Sequence, residues 1–558
     1  MTFSKIDFSR IMKNLSLLFL FVLLAFISTY PAFVEHYFKM TMDGQIHFAR
    51  FESVAQALKS GKLPPSINFI GLGNVGEAFS STYPWLTALL FIIPRSIMRS
   101  PVHAMFVGFF AVNLITITNA YFLTKCLTSK KNLQIFGVAI YQLNTYHFID
   151  LYARNAMGES LAYAFIPLVF LGCYQIWNGH RTGIFPLALG MGLIFNSHMI
   201  TSFFSVIILA TIELYRIVIK KFSLRELSSF CLSALLCLPV VLFSLINLAK
   251  ITANNTISTT WRALYSIYAW DALQSSVNNV ISDKPNQYNV GIVCLSLLVT
   301  MIIMSFKKDL QKYAPYIIGA TIILVVTLNW ITPPKWLVKS IIGNLQFTGR
   351  LLPFVIILTV MGSVLILDYL HPTINSNAIT VLALCLMTIL SFNGIVNYHN
   401  TKNDDPVRFY IDNNQTYLST ISEVKCGSED YTILDNHKKS ILKSVLCEDK
   451  DFEIKNVRYN RISIVPKTKK QKIEVPFLLY NSVPYKVSVN GKPINAKQGS
   501  TLKLNLSKRK NTIVIQSDAP KINYLTFSVS VISIILLTAA MLFYNRKPQF
   551  KSALDRGI

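Results

Sequence analysis

The chain has 558 residues, of which 52% are hydrophobic and only 14% are charged, and its mean hydropathy is +0.44. Repeated long apolar runs in such a composition exclude a soluble globular protein and predict a membrane protein with many spans. The net charge of +26 does not predict nucleic-acid binding, because many Lys and Arg lie in short loops or in one polar C-terminal segment. This charge instead favours contact with membrane lipids or anionic polymer surfaces.

The first membrane helix is predicted from the apolar run between Leu15 and Val34, which has the ~20 residues that a bilayer crossing needs. The N-terminus is predicted to be cytoplasmic because three basic residues precede this run: Lys5, Arg10 and Lys13. We expect the helix not to be a cleaved signal peptide, because the run is long and has no small-residue cleavage pattern after it. Residues 35–100 then form a first outer loop.

The first outer loop is predicted to contain an amphipathic helix that ends near Lys59, followed by a Gly- and Pro-rich loop from Gly61 to Gly76. The apolar stretch 85–93 is too short to cross a bilayer, and Pro94 follows it. We therefore expect 85–93 to lie in the outer membrane interface. The alternative is a short spanning helix, which would invert the orientation of everything after it.

Further apolar runs complete a prediction of about twelve membrane helices. They cover 102–124, 133–148, 160–177, 183–195, 200–219, 227–248, 290–306, 316–331, 351–369, 378–392 and 523–544. When the runs are taken as alternating spans, nearly every Lys/Arg cluster in a short turn falls on the cytoplasmic side. The predicted fold is therefore a mainly α, polytopic membrane protein with its longer polar loops outside.

Three domains are predicted: a transmembrane domain at 1–396, a β-rich domain at 397–521, and a final membrane helix with a basic cytoplasmic tail at 522–558. In the second domain, apolar residues alternate with polar ones, and Asn490-Gly491 is a strong signal for a two-residue hairpin. These patterns predict a small extracytoplasmic β-sandwich. Cys426 and Cys447 also lie there, and whether they form a disulfide stays open.

The stretch that follows the first span carries a candidate site at the membrane surface. In a helix, Asp43 and His47 lie four residues apart and share one face. A carboxylate and an imidazole in that position can hold a cation, accept a proton or orient a charged headgroup. The alternative is an ordinary solvated helix start, with Asp43 as a favourable acid in its first turn.

Three other features are predicted on the same side of the membrane: Arg154 with Glu159, then His198, and then Arg350. Each has a structural alternative: an ion pair that fixes a helix start, a helix cap, and an interfacial anchor. Together they place an acid, imidazoles and two guanidiniums at one membrane depth, which suits a lipid-linked phosphate because Arg binds phosphate bidentately. Aromatic residues in outer loops could stack on sugars or form an interfacial belt: Tyr83, Trp85, Trp261, Tyr265, Tyr268 and Trp270.

Several short stretches, taken as a series, resemble a known family. They are Asp43 to His47 and on to Lys62, Thr82-Tyr-Pro84, Tyr152 to Ala162 with Pro167, Ser197-His198, and Leu345 to Arg350. The chain resembles the bacterial polytopic proteins named "6-pyruvoyl-tetrahydropterin synthase-related", which are similar to YfhO-type proteins and to GT-C glycosyltransferases. It differs from the expected pattern at Phe347-Thr-Gly-Arg350 and after Tyr83. Nothing in the sequence supports the pterin chemistry of that name.

The resemblance implies a GT-C-like architecture and a glycosyltransferase in the cell envelope. The donor would be a polyprenyl-phosphate-linked sugar, and the acceptor an extracytoplasmic glycan or polymer such as a polysaccharide. Asp43 matches the acidic residue in the first outer loop of that family. The resemblance implies that this residue acts as a base or as a ligand for a divalent cation, Mg or Mn. The other motif positions, implied to bind substrate, are His47, Arg154, Glu159, His198 and Arg350.

Two other functions stay open at this point. One is a transporter or flippase for a lipid-linked or anionic substrate, which would need charged residues deep in several helices or repeated halves. The other is a non-catalytic membrane protein of polymer assembly that binds through its β-domain. The sequence has no phosphate-binding glycine loop and no dinucleotide fingerprint, which argues against chemistry driven by soluble nucleotides. It also has no HExxH zinc motif.

Overall fold

The structure is a computed structural model that describes residues 8–330, 332–370, 375–401, 408–422, 430–468, 470–506 and 511–544. The helices are α1 (Phe8–Thr29), α2 (Met42–Lys59), α3 (Phe79–Thr82), α4 (Leu89–Ile97), α5 (Pro101–Leu127), α6 (Lys131–Gln142), α7 (Thr145–Phe148), α8 (Met157–Trp177), α9 (Ile184–Phe195), α10 (Met199–Val218), α11 (Leu224–Asn254), α12 (Ala269–Val277), α13 (Ile292–Ser305), α14 (Ala314–Thr327), α15 (Lys335–Lys339), α16 (Leu352–Leu370), α17 (Ser376–Asn400), α18 (Asn414–Ser422) and α19 (Lys521–Tyr544). The strands are β1 (Phe38–Met40), β2 (Leu264–Tyr265), β3 (Gln346–Phe347), β4 (Phe409–Ile411), β5 (Phe452–Arg458), β6 (Arg461–Pro466), β7 (Lys472–Leu479), β8 (Tyr485–Val489), β9 (Lys492–Ile494), β10 (Ser500–Asn505) and β11 (Ile513–Ser517).

The predicted fold class is confirmed: the protein is mainly helical, with apolar helices that suit a multi-pass membrane protein and a small β-rich region near the C-terminal end. Within the described ranges, nine helical segments are long and apolar enough to cross a bilayer. Each of the predicted membrane helices has a counterpart, but α6, α9 and α13 have only 12, 12 and 14 residues. These three are shorter than the ~20 residues of an ordinary span.

The predicted helix 133–148 is wrong in its second half. Helix α6 ends at Gln142, and the short helix α7 then begins at Thr145. The side chain of Asn144 accepts a hydrogen bond from the backbone N–H of Tyr146 at 3.0 Å and so caps the new helix. The chain then forms a π-helical turn at Ile149–Ala153, which leads to Arg154. Apolar composition alone did not reveal this interruption, which shapes the candidate site.

The β-rich region forms the predicted sandwich. A five-stranded sheet of order β5-β6-β11-β8-β9 faces the β10-β7 pair across a shared apolar core. The hairpin prediction is confirmed, because Asn490 and Gly491 join β8 to β9 with φ of 51° and 79°. Positive φ at both positions defines the type I′ turn that the Asn-Gly pair favours.

The first outer loop folds against the chain that follows α17. Strand β1 pairs antiparallel with β4, and α18 packs on α2. Helix α2 was predicted to be amphipathic, but even polar side chains such as Gln45 and Glu52 are buried. The stretch 85–93 was predicted to be too short for a span, and the helix there, α4, has nine residues and packs on α5.

The predicted outer segments meet at one end of the helical bundle, where the candidate site lies. Polar contacts also connect the helices at the other end: Lys130 pairs with Asp368 at 3.1 Å, and Arg216 pairs with Glu226 at 2.9 Å. The two sets of loops are therefore separated along the bundle as the charge pattern requires. The compartment that each end faces stays a prediction. Cys426 lies outside the described residues, so whether it pairs with Cys447 stays open.

Candidate functional site

The N-terminus of α2 is fixed against the loop that carries Arg154. Thr41 Oγ1 donates to the Arg154 carbonyl oxygen at 2.5 Å, and the Thr41 N–H donates to Asn155 Oδ1 at 2.7 Å. At Gly44, a Cβ atom would lie 2.7 Å from Asn155 Oδ1, so the close approach of the two segments requires glycine here. This docking places Asp43, in the first turn of α2, beside the Arg154 loop.

A charged cluster lies next to this contact and consists of Asp43, Asp150, Arg154, Glu159 and Arg350. Arg154 donates two hydrogen bonds to Glu159, from Nη1 at 2.7 Å and from Nη2 at 2.8 Å, and a third to Asp150 at 2.6 Å. Arg350 Nε donates to Glu159 Oε1 at 2.6 Å. Glu159 therefore joins two guanidiniums that are far apart in the sequence, and the cluster holds its charges in fixed positions.

Asp43 differs from the other carboxylates of the cluster. It is half-buried, and among the described residues its carboxylate has no hydrogen bond or ion pair within 4.0 Å. Burial raises the pKa of Asp43, and the nearby guanidiniums of Arg154 and Arg350 oppose that rise. Because a higher pKa makes a carboxylate a stronger proton acceptor, Asp43 is suited to act as a general base.

The two predicted histidines both lie next to Tyr83. The Tyr83 ring centroid is 5.3 Å from that of His47 and 5.9 Å from that of His198. Burial, followed by the Arg50 charge, lowers the pKa of His47 well below its usual range, so this ring is neutral at pH 7. His47 Nδ1 is buried and has no hydrogen-bond partner among the described residues.

His198 has the structural role that the sequence offered as an alternative, because it caps a helix. Its Nδ1 accepts a hydrogen bond from the backbone N–H of Thr201 at 3.3 Å and caps α10. Because Nδ1 is the acceptor in this bond, the proton of the neutral ring is on Nε2. The charges of Glu159 and Arg350 act on the same ring, so His198 also belongs to the surroundings of the charged cluster.

The structure thus brings the six predicted site residues together. It also shows which of the structural alternatives hold. The structural alternative for Arg154 and Glu159 holds, because they form a buried bidentate pair. Arg350 is more than an interfacial anchor, because its side chain is 11% exposed and bonds to Glu159. The catalytic and substrate-binding roles of these residues stay predictions.

Several neighbours of the cluster were not singled out from the sequence. Arg50 is fully buried, lies 4.2 Å from the Tyr83 ring and donates to the Tyr83 carbonyl oxygen at 2.9 Å. Its spacing of three from His47 and seven from Asp43 on one helix was a signal that could have identified it. Asp150 lies four residues before Arg154, a spacing that could also have identified it. Tyr288 had no such signal, because only the fold brings it to Arg154.

The donor set around Asp43 does not fit a divalent cation. Among the residues that the structure describes, no group of three or more His, Cys, Asp or Glu side chains is arranged to hold a metal ion. Two guanidiniums lie near the Asp43 carboxylate and disfavour a second cation there. Asp43 and its neighbours therefore do not form a site suited to Mg or Mn.

Known proteins are similar to parts of this chain. A search of protein-family profiles finds no match. An uncharacterized protein of Lactococcus lactis subsp. cremoris (strain MG1363) is 26% identical over 219 residues, or 38% of this chain and 35% of the relative. The crystal structure of ArnT from Cupriavidus metallidurans bound to undecaprenyl phosphate aligns over 74% of this chain and 77% of ArnT, with 10% identity and a TM-score of 0.37. This score is too low to establish a shared fold, so the GT-C and 6-pyruvoyl-tetrahydropterin synthase-related resemblances stay predictions.

Proposed function

We propose that this protein is a membrane glycosyltransferase that moves a sugar from a polyprenyl-phosphate donor to an extracytoplasmic glycan or cell-envelope polymer. One observation carries the proposal. Asp43 is a half-buried carboxylate without a hydrogen-bond partner among the described residues, and it lies beside two guanidiniums at one end of an apolar helical bundle. A proton acceptor next to fixed positive charge suits a reaction that deprotonates a hydroxyl and releases a phosphate.

The proposed step is an inverting displacement. The Asp43 carboxylate accepts the proton of an acceptor hydroxyl, and the hydroxyl oxygen forms a bond to the anomeric carbon of the donor sugar. The bond between that carbon and the phosphate oxygen breaks, and its electron pair leaves with the polyprenyl phosphate. Negative charge grows on the phosphate as this bond breaks, so positive groups fixed beside it lower the barrier.

Arg350 is the better placed of the two arginines for the departing phosphate. Arg154 donates to both Glu159 and Asp150, which engages both of its terminal nitrogens. Arg350 uses Nε and Nη1 for protein contacts, whereas no hydrogen bond from its Nη2 is found among the described residues. Arg350 Nη2 would then donate to a phosphate oxygen, while Glu159 and Arg154 hold the Arg350 side chain in position.

The test is a transfer assay with membranes that contain the full chain and a polyprenyl-phosphate sugar. Asp43→Asn keeps the size of the side chain but removes the base, so we expect transfer to fall by about 10²- to 10⁴-fold. Asp412→Asn is the matched control, because Asp412 is exposed and lies in the segment next to α18. Its transfer rate should equal that of the unaltered protein.

Three outcomes would contradict the proposal. Full transfer activity in folded Asp43→Asn protein would remove Asp43 from the mechanism. Movement of the labelled lipid across a vesicle membrane, without sugar release, would instead support the transporter alternative. Binding of an envelope polymer that neither Asp43 nor Arg154 substitution alters, in a protein without transfer activity, would favour the non-catalytic role.

A further inference from the structure

Three aromatic side chains form a partly exposed surface at the same end of the bundle, which we name the aromatic platform: Trp261, Tyr265 and Phe347. The Trp261 ring centroid lies 5.4 Å from that of Tyr265 and 6.0 Å from that of Phe347. Trp261 and Tyr265 are 51% and 53% exposed. Exposed aromatic rings that contact one another form a contiguous apolar patch, and such a patch can mark a binding site.

The aromatic platform is attached directly to the charged cluster. Strands β2 and β3 pair in parallel, which places Tyr265 opposite Phe347. Gln346 donates from Nε2 to the Trp261 carbonyl oxygen at 3.0 Å and accepts from Arg350 Nη1 at 2.8 Å. The Gln346 side chain therefore connects the backbone at Trp261 to the Arg350 guanidinium.

Phe347 is the member of the platform that lies nearest to the charges. The centre of its ring is 5.2 Å from Arg350 Cζ and 5.8 Å from Arg154 Cζ. An aromatic face next to a guanidinium suits a ligand that carries an apolar ring face directly beside an anion. A glycosyl phosphate is such a ligand, because one face of its sugar ring presents C–H groups and its phosphate is bonded to the same ring.

Other exposed aromatic residues lack this connection. Trp270, Trp330 and Trp336 are each more than 60% exposed, and in the described part of the chain none has a ring contact with the aromatic platform. Their positions agree with an interfacial belt. Trp85, also considered for sugar stacking, is buried against Phe243. The aromatic platform is thus distinct from the belt in its link to Arg350.

We propose that the aromatic platform binds the sugar ring of the donor while the donor phosphate reaches Arg350. This inference rests on the proposed function and adds a sugar subsite to it. The rings of Trp261 and Tyr265 would contact the C–H face of the sugar, and Gln346 would hold that subsite in register with the phosphate position. The platform would therefore contact the sugar of the donor and not its lipid chain.

The test compares two probes on the purified full chain in lipid nanodiscs: farnesyl phosphate, and farnesyl phosphate that carries glucose, galactose or mannose. Binding is measured by titration calorimetry for the unaltered protein, Trp261→Ala and Tyr265→Ala, with Trp270→Ala as the matched control. We expect each platform substitution to weaken the binding of the preferred glycosylated probe by about tenfold. Binding of bare farnesyl phosphate should not change, and Trp270→Ala should behave like the unaltered protein.

Three results would overturn the inference: equal weakening of both probes, which indicates contact with the lipid chain; unchanged binding in both platform variants; or no binding of any glycosylated probe. Failure of the proposed function has a different signature. If the unaltered protein binds the glycosylated probe through the platform but transfers no sugar, the sugar subsite stands and the transferase proposal falls.

Discussion

Glu159 is the side chain on which the charged cluster depends, and its replacement gives the most informative prediction for stability. Its carboxylate accepts three charge-assisted hydrogen bonds, at 2.7 and 2.8 Å from Arg154 and at 2.6 Å from Arg350. Glu159→Gln keeps the size but removes the negative charge and turns one acceptor into a donor. Because two buried guanidiniums then lose their shared partner, we expect the free energy of unfolding to fall by about 3–5 kcal/mol.

The measurement is reversible unfolding of the purified protein in mixed micelles with increasing SDS, followed by circular dichroism. Glu453→Gln is the matched control, because it makes the same change in an ion pair with Lys455 whose two side chains are 42% and 52% exposed. That variant should unfold like the unaltered protein, since exposed ion pairs contribute little. A loss below about 1 kcal/mol in Glu159→Gln would refute the reasoning, because it would mean that the guanidiniums do not depend on this carboxylate.

Three further predictions concern Gly158, Glu77 and Asp43. A Cβ at Gly158 would clash with the Tyr83 hydroxyl. Gly158→Ala should therefore destabilise the protein by about 1–3 kcal/mol in SDS unfolding. Adding Tyr83→Phe removes the hydroxyl, so the double variant should recover part of that loss. Burial, followed by the nearby Asp430 charge, raises the pKa of Glu77 well above 4.5. Above pH 4.5 the folded state therefore retains a proton that the unfolded state releases. In unfolding experiments at increasing pH above 4.5, the stability of the unaltered protein relative to Glu77→Gln should fall. The raised pKa of Asp43 predicts that the transfer rate rises with pH through a midpoint above 3.8, and a pH–rate profile with a midpoint at or below that value would contradict it.

The sequence predicted the elements whose signals are local. Each predicted apolar run has a helical counterpart, because the hydrophobicity of a segment reports directly on whether water or apolar groups surround it. The hairpin at Asn490-Gly491 was equally readable, since only a few residue types adopt positive φ at low cost. The break after Gln142 was missed because Asn144 acts as a cap through one hydrogen bond that hydropathy does not register.

The candidate site was only partly predictable. Asp43 and His47 were selected because helix periodicity places them on one face, and the same rule could have added Arg50. Asp150 lies four residues before Arg154, so its spacing was a readable signal as well. Sequence spacing gave no comparable indication of Tyr288, nor of the way Gln346 joins the aromatic platform to the charged cluster. Those contacts form only because separate segments of the chain pack together at one end of the bundle.

The sequence by itself determined that this is a multi-pass helical membrane protein with a small β-sandwich, because burial pattern and turn chemistry are properties of short segments. The tertiary structure alone decided which charges are paired and which carboxylate is left for chemistry. Glu159 and Arg350 are 191 residues apart and lie 2.6 Å from each other. Such a contact is a property of the packed chain, so no local pattern could show that Arg350 joins Glu159 while Asp43 has no hydrogen-bond partner among the described residues.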